Sequence, residues 1–215
     1  MGRRRKRTGM LIFSVAFTSL FFHPGCLGSL NVRVTVTPSL TEKTYPDKMP
    51  LTVGLYLSEE FKNYRYTDST KTLGTTYDFW NLGRESGGMF EVGLSRIFEK
   101  VVIVDRRPPF PQPPSVPLRA VVEPRIEGLD FKVPAVVVQN WSARIRYRIL
   151  VYDLGGKVVW EKAITGSGEV PGSYTRTVEE LGTNPAKPAT AAIVGATDRM
   201  LEAFLASEEI KALAR

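Results

Sequence analysis

The alternation of apolar and polar positions predicts several strands. Over Ser29–Thr37, Val32, Val34 and Val36 alternate with Arg33, Thr35 and Thr37, the period of a half-buried strand. The same period is strongest over Trp141–Tyr152. There Trp141, Ala143, Ile145, Tyr147, Ile149 and Val151 share one face, and Arg144, Arg146 and Arg148 share the other. The turn Asp153–Gly156 and the run Lys157–Thr165 complete a hairpin with it. Leu51–Leu57 and Val101–Asp105 are shorter apolar runs that predict buried strands. Leu118–Phe131 predicts another, with Pro124 marking a bulge or an edge.

Two stretches carry helical spacing instead. Phe90, Leu94, Ile97, Phe98 and Val101 predict one amphipathic helix over Arg84–Lys100. Ile193, Ala196, Met200, Leu201, Phe204 and Leu205 predict a closing helix over Pro188–Ala206. Pro38–Pro50 and the Gly/Pro/Thr-rich Gly166–Lys187 read as loops, and Ser58–Leu73 has no clear period. Arg106–Pro117 holds six prolines and reads as a stiff extended surface segment. The element order predicts an α+β fold: a single antiparallel or mixed sheet of about 5–6 strands, with two helices packed on one face.

The 215 residues carry a formal charge of +7. Its position removes a nucleic-acid reading. Arg3, Arg4, Arg5, Lys6 and Arg7 stand together at the start, and without them 24 basic residues face 22 acidic ones. The one Cys (Cys26) and the one His (His23) exclude a disulfide within the chain and a multi-His or multi-Cys metal site. After Cys26 neither residue type remains, so a Ser-His-Asp or Cys-His centre is excluded there. The domain reads as non-enzymatic, without metal or cofactor.

Behind the basic start, Met10–Phe22 is an uncharged, mostly apolar run of 13 residues. That is the length of a signal-peptide apolar region and short of the roughly 20 residues that span a bilayer. It ends at His23-Pro24-Gly25-Cys26. Gly25 and Cys26 resemble the lipobox of bacterial lipoproteins, whereas His23 and Pro24 depart from it. The resemblance implies a signal peptide over 1–25, one periplasmic domain over 26–215, and diacylglycerol and palmitate-type acyl chains on Cys26. A secretory signal cleaved nearby and an uncleaved anchor are the alternatives. Leu27 after the Cys, where retention in the inner membrane is signalled by Asp, implies the periplasmic face of the outer membrane. An inner-membrane anchor or release to the periplasm are the other placements.

The element order after Cys26 is similar to that of small envelope lipoproteins, auxiliary to assembly and transport machines. These include the lipopolysaccharide-assembly lipoprotein and the auxiliary lipoproteins of lipid-transporting ABC systems. The similarity implies a non-enzymatic binding or assembly component whose partners are the membrane, through the lipid, and another envelope protein or a lipid. The alternative is a module for a small hydrophobic ligand.

Three groups of side chains are candidates for contact. Arg144, Arg146 and Arg148, about 6.5–7 Å apart along one strand face, would meet an anion or lipid phosphates, unless Glu123, Glu127 or Glu161 pair with them. Tyr77, Phe79 and Trp80 would line a ligand groove, unless they pack in the core. The carboxylate pairs Glu123/Glu127 and Glu59/Glu60 read as solvated, and Gly74, Gly83, Gly87 and Gly88 read as structural turns.

Overall fold

The computed structural model describes residues 30–45, 47–68, 74–134, 139–172 and 178–214, the side chains of 178–182 excepted. The predicted signal peptide and Cys26 lie outside the described residues. The fold is α+β, with two sheets rather than the single one the element order predicts.

The larger sheet has the order β5-β2-β6-β7-β8, formed by Phe98–Val104, Met49–Tyr56, Ala120–Lys132, Asn140–Tyr152 and Val158–Pro171. β2 lies between β5 and β6 and is parallel to both, while β6, β7 and β8 form the predicted antiparallel meander. The register of β7 follows its sequence period. Ile145, Tyr147 and Ile149 are fully buried, and their neighbours Arg144 and Arg148 are exposed.

The smaller sheet has the order β1-β4-β3, from Leu30–Val34, Thr75–Phe79 and Tyr66–Thr67. The partner of β1 is β4, which carries Tyr77 and Phe79 of the candidate groove. β4 alternates, so Tyr77 and Phe79 turn inward and meet Phe131 and Trp141 of the larger sheet at ring distances of 4.8–5.7 Å. This aromatic layer joins the two sheets. The two-residue β3 is too short for periodicity to reveal.

Four helices complete the described chain: α1 (Glu59–Lys62), α2 (Leu82–Ile97), α3 (Val178–Ala206) and α4 (Glu208–Ala212). α2 and α3 cover the inner face of the larger sheet, as predicted for two helices on one face. Phe90 of α2 stacks edge-on to Tyr147 at 4.9 Å, and the buried Tyr147 hydroxyl pairs with Ser86 Oγ at 2.6 Å. Phe204 of α3 packs on Trp160 and Phe98.

Of the predicted loop Gly166–Lys187, Gly166–Pro171 are the end of β8 and Val178–Lys187 the first turns of α3, while 173–177 lie outside the described residues. The β8 glycines are there for space. A Cβ at Gly166 would lie 1.8 Å from the Ala192 carbonyl oxygen, and one at Gly168 would lie 2.3 Å from that of Pro188. Helix backbone thus rests directly on strand backbone, a contact only glycine admits. Pro185 and Pro188 lie inside α3 and mimic a helix boundary in the sequence.

The proline-rich segment is the crossover from β5 to β6. It lies on the outer face of the sheet, opposite the helices. Pro108 and Leu118 are buried there, together with Val121 and Tyr152. β6 leaves β2 after Val122, so Pro124 stands where the strand has become an edge, and the register shifts at Glu127.

Candidate functional site

The arginine row of β7 lies on the outer face of the sheet. Arg148 donates to Glu127 and to Glu161, each at 2.6 Å. Those two carboxylates hold its pKa above the ordinary value. Arg146 pairs with Asp130. Arg144 stands opposite Asp130 in the ladder and makes no ion pair among the described residues. Acids on the adjacent strands thus neutralise most of the row, each from a position diagonal to its arginine rather than directly opposite it.

Glu123 differs from the solvated carboxylate its sequence suggests: it is fully buried. Its two oxygens accept hydrogen bonds from Arg107 (2.7 Å), Arg125 (3.1 and 3.2 Å) and the Tyr152 hydroxyl (2.8 Å). Arg107 comes from the proline-rich crossover and also lies over the Tyr56 ring. Burial, then the Glu123 carboxylate, raises the Tyr152 pKa. Beside this cluster a cleft of about 390 Å³ opens between α1 and the freed edge of β6, with Glu60, Glu127 and Arg148 at its walls. Acids and guanidinium groups alternate around it, so no single charge sign dominates.

Glu123 therefore latches the crossover onto the sheet. Glu123→Gln keeps the shape but weakens charge-assisted bonds and leaves buried donors poorly matched. It is expected to cost about 1–3 kcal/mol and to speed amide exchange over residues 106–118 more than over β7. Exchange mass spectrometry reads both. Unchanged exchange in the crossover would remove the latch.

The aromatic candidates separate. Tyr77 and Phe79 are buried in the layer between the sheets, while Trp80, one residue past β4, turns to the outside. Its ring lies between Arg33, at 4.3 Å, and Arg84, at 5.0 Å, and its indole N–H donates to Thr35 Oγ1 at 3.1 Å. The three side chains do not line one groove.

A groove does lie beside Trp80, between residues 33–41 and α3. It has a volume of about 860 Å³. Thr35 and Thr37 form one wall, and Ala186, Ala191, Val194 and Gly195 form the other. Arg33 and Lys187 stand toward one end. At the other end, Asp198 accepts from Thr41 Oγ1 at 3.2 Å and from the Tyr45 hydroxyl at 3.1 Å. Burial and Asp198 push the Tyr45 phenol up to about 12. Alternation along 33, 35 and 37 marks one side of this groove in the sequence. The α3 side is hidden, because residues 183–187 fall in the stretch read as a loop.

Among the described residues no group of three or more His, Cys, Asp and Glu could hold a metal ion, and no helix is long and apolar enough to cross a membrane.

No family model matches the chain, and no curated protein matches it. Solved structures similar to it include a Xanthomonas campestris protein of the family-model DUF330, at 11% identity, over 84% of this chain and 96% of the other, with a TM-score of 0.47. A minor lipoprotein from Acinetobacter baumannii is similar at 8% identity, over 77% and 94%, with a TM-score of 0.45. A PelC dodecamer from Paraburkholderia phytofirmans is similar at 15% identity, over 71% and 89%, with a TM-score of 0.36.

Proposed function

We propose that this chain is a lipoprotein anchored through Cys26 at the periplasmic face of the outer membrane, where its domain acts by binding, as a component of envelope assembly or transport. The single observation that supports this reading most is the arrangement of the N-terminus. A basic start, a 13-residue apolar run and the one Cys of the chain are followed, four residues later, by the first strand at Leu30. Four residues span at most about 14 Å. A lipid on Cys26 would hold the β1 end of the domain against the headgroup layer, and more than one acyl chain gives stable anchoring. Trp80 with Arg33 and Arg84 is suited to that layer, where amphipathic rings and cations gather.

The second reading, a module for a hydrophobic ligand, is favoured by the groove of about 860 Å³ along α3. The two readings are compatible.

The anchor is tested by growing cells with a clickable palmitate analogue. The wild-type protein is expected to carry the label and to sediment with membranes. Cys26→Ala is expected to lose the label. Equal labelling of both, or an unlabelled wild type, would refute lipidation.

A further inference from the structure

We propose that the groove between residues 33–41 and α3 binds one acyl chain of an anionic phospholipid, with the phosphate at the end marked by Arg33 and Lys187. This deepens the proposed function and rests on it, because it needs the domain held at a membrane.

The length of the groove suits an acyl chain. From Lys187 at the phosphate end to Asp198 at the closed end its α3 wall is about 16 Å long at 1.5 Å per residue. One leaflet of hydrocarbon is about 15 Å thick, half of the bilayer core. The wall is built from alanine, glycine, valine and threonine side chains, which leave a channel and present few polar atoms. Over Ala186–Asp198 the helix carbonyls on that side are bonded within α3, so this stretch offers no partner to the N–H groups of a peptide. Methylenes need none.

The ends set the direction. Thr41 and Tyr45 close one end over Asp198, a carboxylate that would repel a phosphate. The opposite end carries the exposed cations Arg33 and Lys187. Residues 33–41 run alongside α3, with Thr41 against Asp198, so Arg33 stands at the end nearer Leu30. The mouth therefore opens toward the Leu30 end of the domain, from which four residues would lead to the proposed anchor, and Trp80 stands beside it on the Arg33 guanidinium. A chain leaving the adjacent leaflet would enter tail first and leave its phosphate at Arg33.

The test uses the full chain in vesicles of phosphatidylglycerol carrying a diazirine near the end of one acyl chain. After irradiation, adducts are mapped by peptide mass spectrometry. They are expected on Thr35–Thr37 and on α3 around Ala191–Gly195. Gly195→Leu fills the groove from a position where a Cβ meets nothing within 4 Å, and it replaces a poor helix former. Adduct yield is expected to fall about tenfold with an unchanged thermal melt. Arg33→Gln with Lys187→Gln is expected to abolish the preference for phosphatidylglycerol over phosphatidylcholine probes. Adducts only elsewhere, or full yield from Gly195→Leu, would overturn the proposal. The palmitate label separates the two readings. A labelled protein without groove adducts keeps the anchor and loses the groove. An unlabelled protein that gives groove adducts when added from solution keeps the groove and loses the anchor.

Discussion

Gly166→Val is expected to displace α3 from the sheet and to leave the domain largely unfolded. The Cβ would sit 1.8 Å from the Ala192 carbonyl oxygen and 2.8 Å from the Ala196 side chain. The first of these is backbone of a long helix, which cannot swing aside as a side-chain tip can. Overpacking a core usually costs about 1–3 kcal/mol. Here the contact is between two backbones, so a cost above about 3 kcal/mol is expected, a large part of a domain's net stability of about 5–15 kcal/mol. The measurement is a denaturant melt, with exposure of Trp160, packed on Phe204 of α3, followed by fluorescence. A wild-type midpoint would mean that α3 and β8 do not approach as described. Gly195→Leu on the same helix is the control, because its Cβ points into open space.

The second large effect concerns the two faces of β7. Ile149→Ala is expected to cost about 2–4 kcal/mol, since the side chain is fully buried and its removal leaves a cavity beneath α2 and α3. Arg146→Ala, three residues away on the opposite face, is expected to cost well under about 1 kcal/mol. Its partner Asp130 is half exposed, and water replaces the lost ion pair. Urea melts of the two variants order them. The reverse order would mean that the strand is turned over, because a one-residue slip exchanges the faces.

These two predictions differ in what a sequence reader can see. The faces of β7 follow from the alternation over Trp141–Ile149, and the structure places those residues as the period requires, whereas Leu150 and Tyr152 on the outer face are buried as well. The close approach at Gly166 is invisible, because a glycine that clears space for a helix and a glycine that breaks a strand look alike. The same ambiguity turned Pro185 and Pro188 into an apparent boundary of α3.

The candidate sites divide in the same way. Arg148 meets Glu127 and Glu161, acids that can be named as cross-strand neighbours once the meander is recognised. Glu123 reads as solvated in the sequence and is buried in the structure. Its burial comes from the proline-rich crossover lying over it, with Arg107 brought from sixteen residues upstream. Tyr77, Phe79 and Trp80 are neighbours in sequence, yet the strand ends between the second and third, so one side chain leaves the core that holds the other two.

Local period and residue chemistry were enough to establish the α+β class, the meander, the two covering helices and the absence of His and Cys after Cys26. Each of these is a property of a continuous stretch of chain, where one-sided burial imprints its period on consecutive residues. The second sheet, the buried carboxylate, the extended α3 and the groove beside Trp80 were decided by tertiary structure alone. Each depends on which distant segment comes to lie against which, and on a contact that buries or exposes a side chain without changing its neighbours in the sequence.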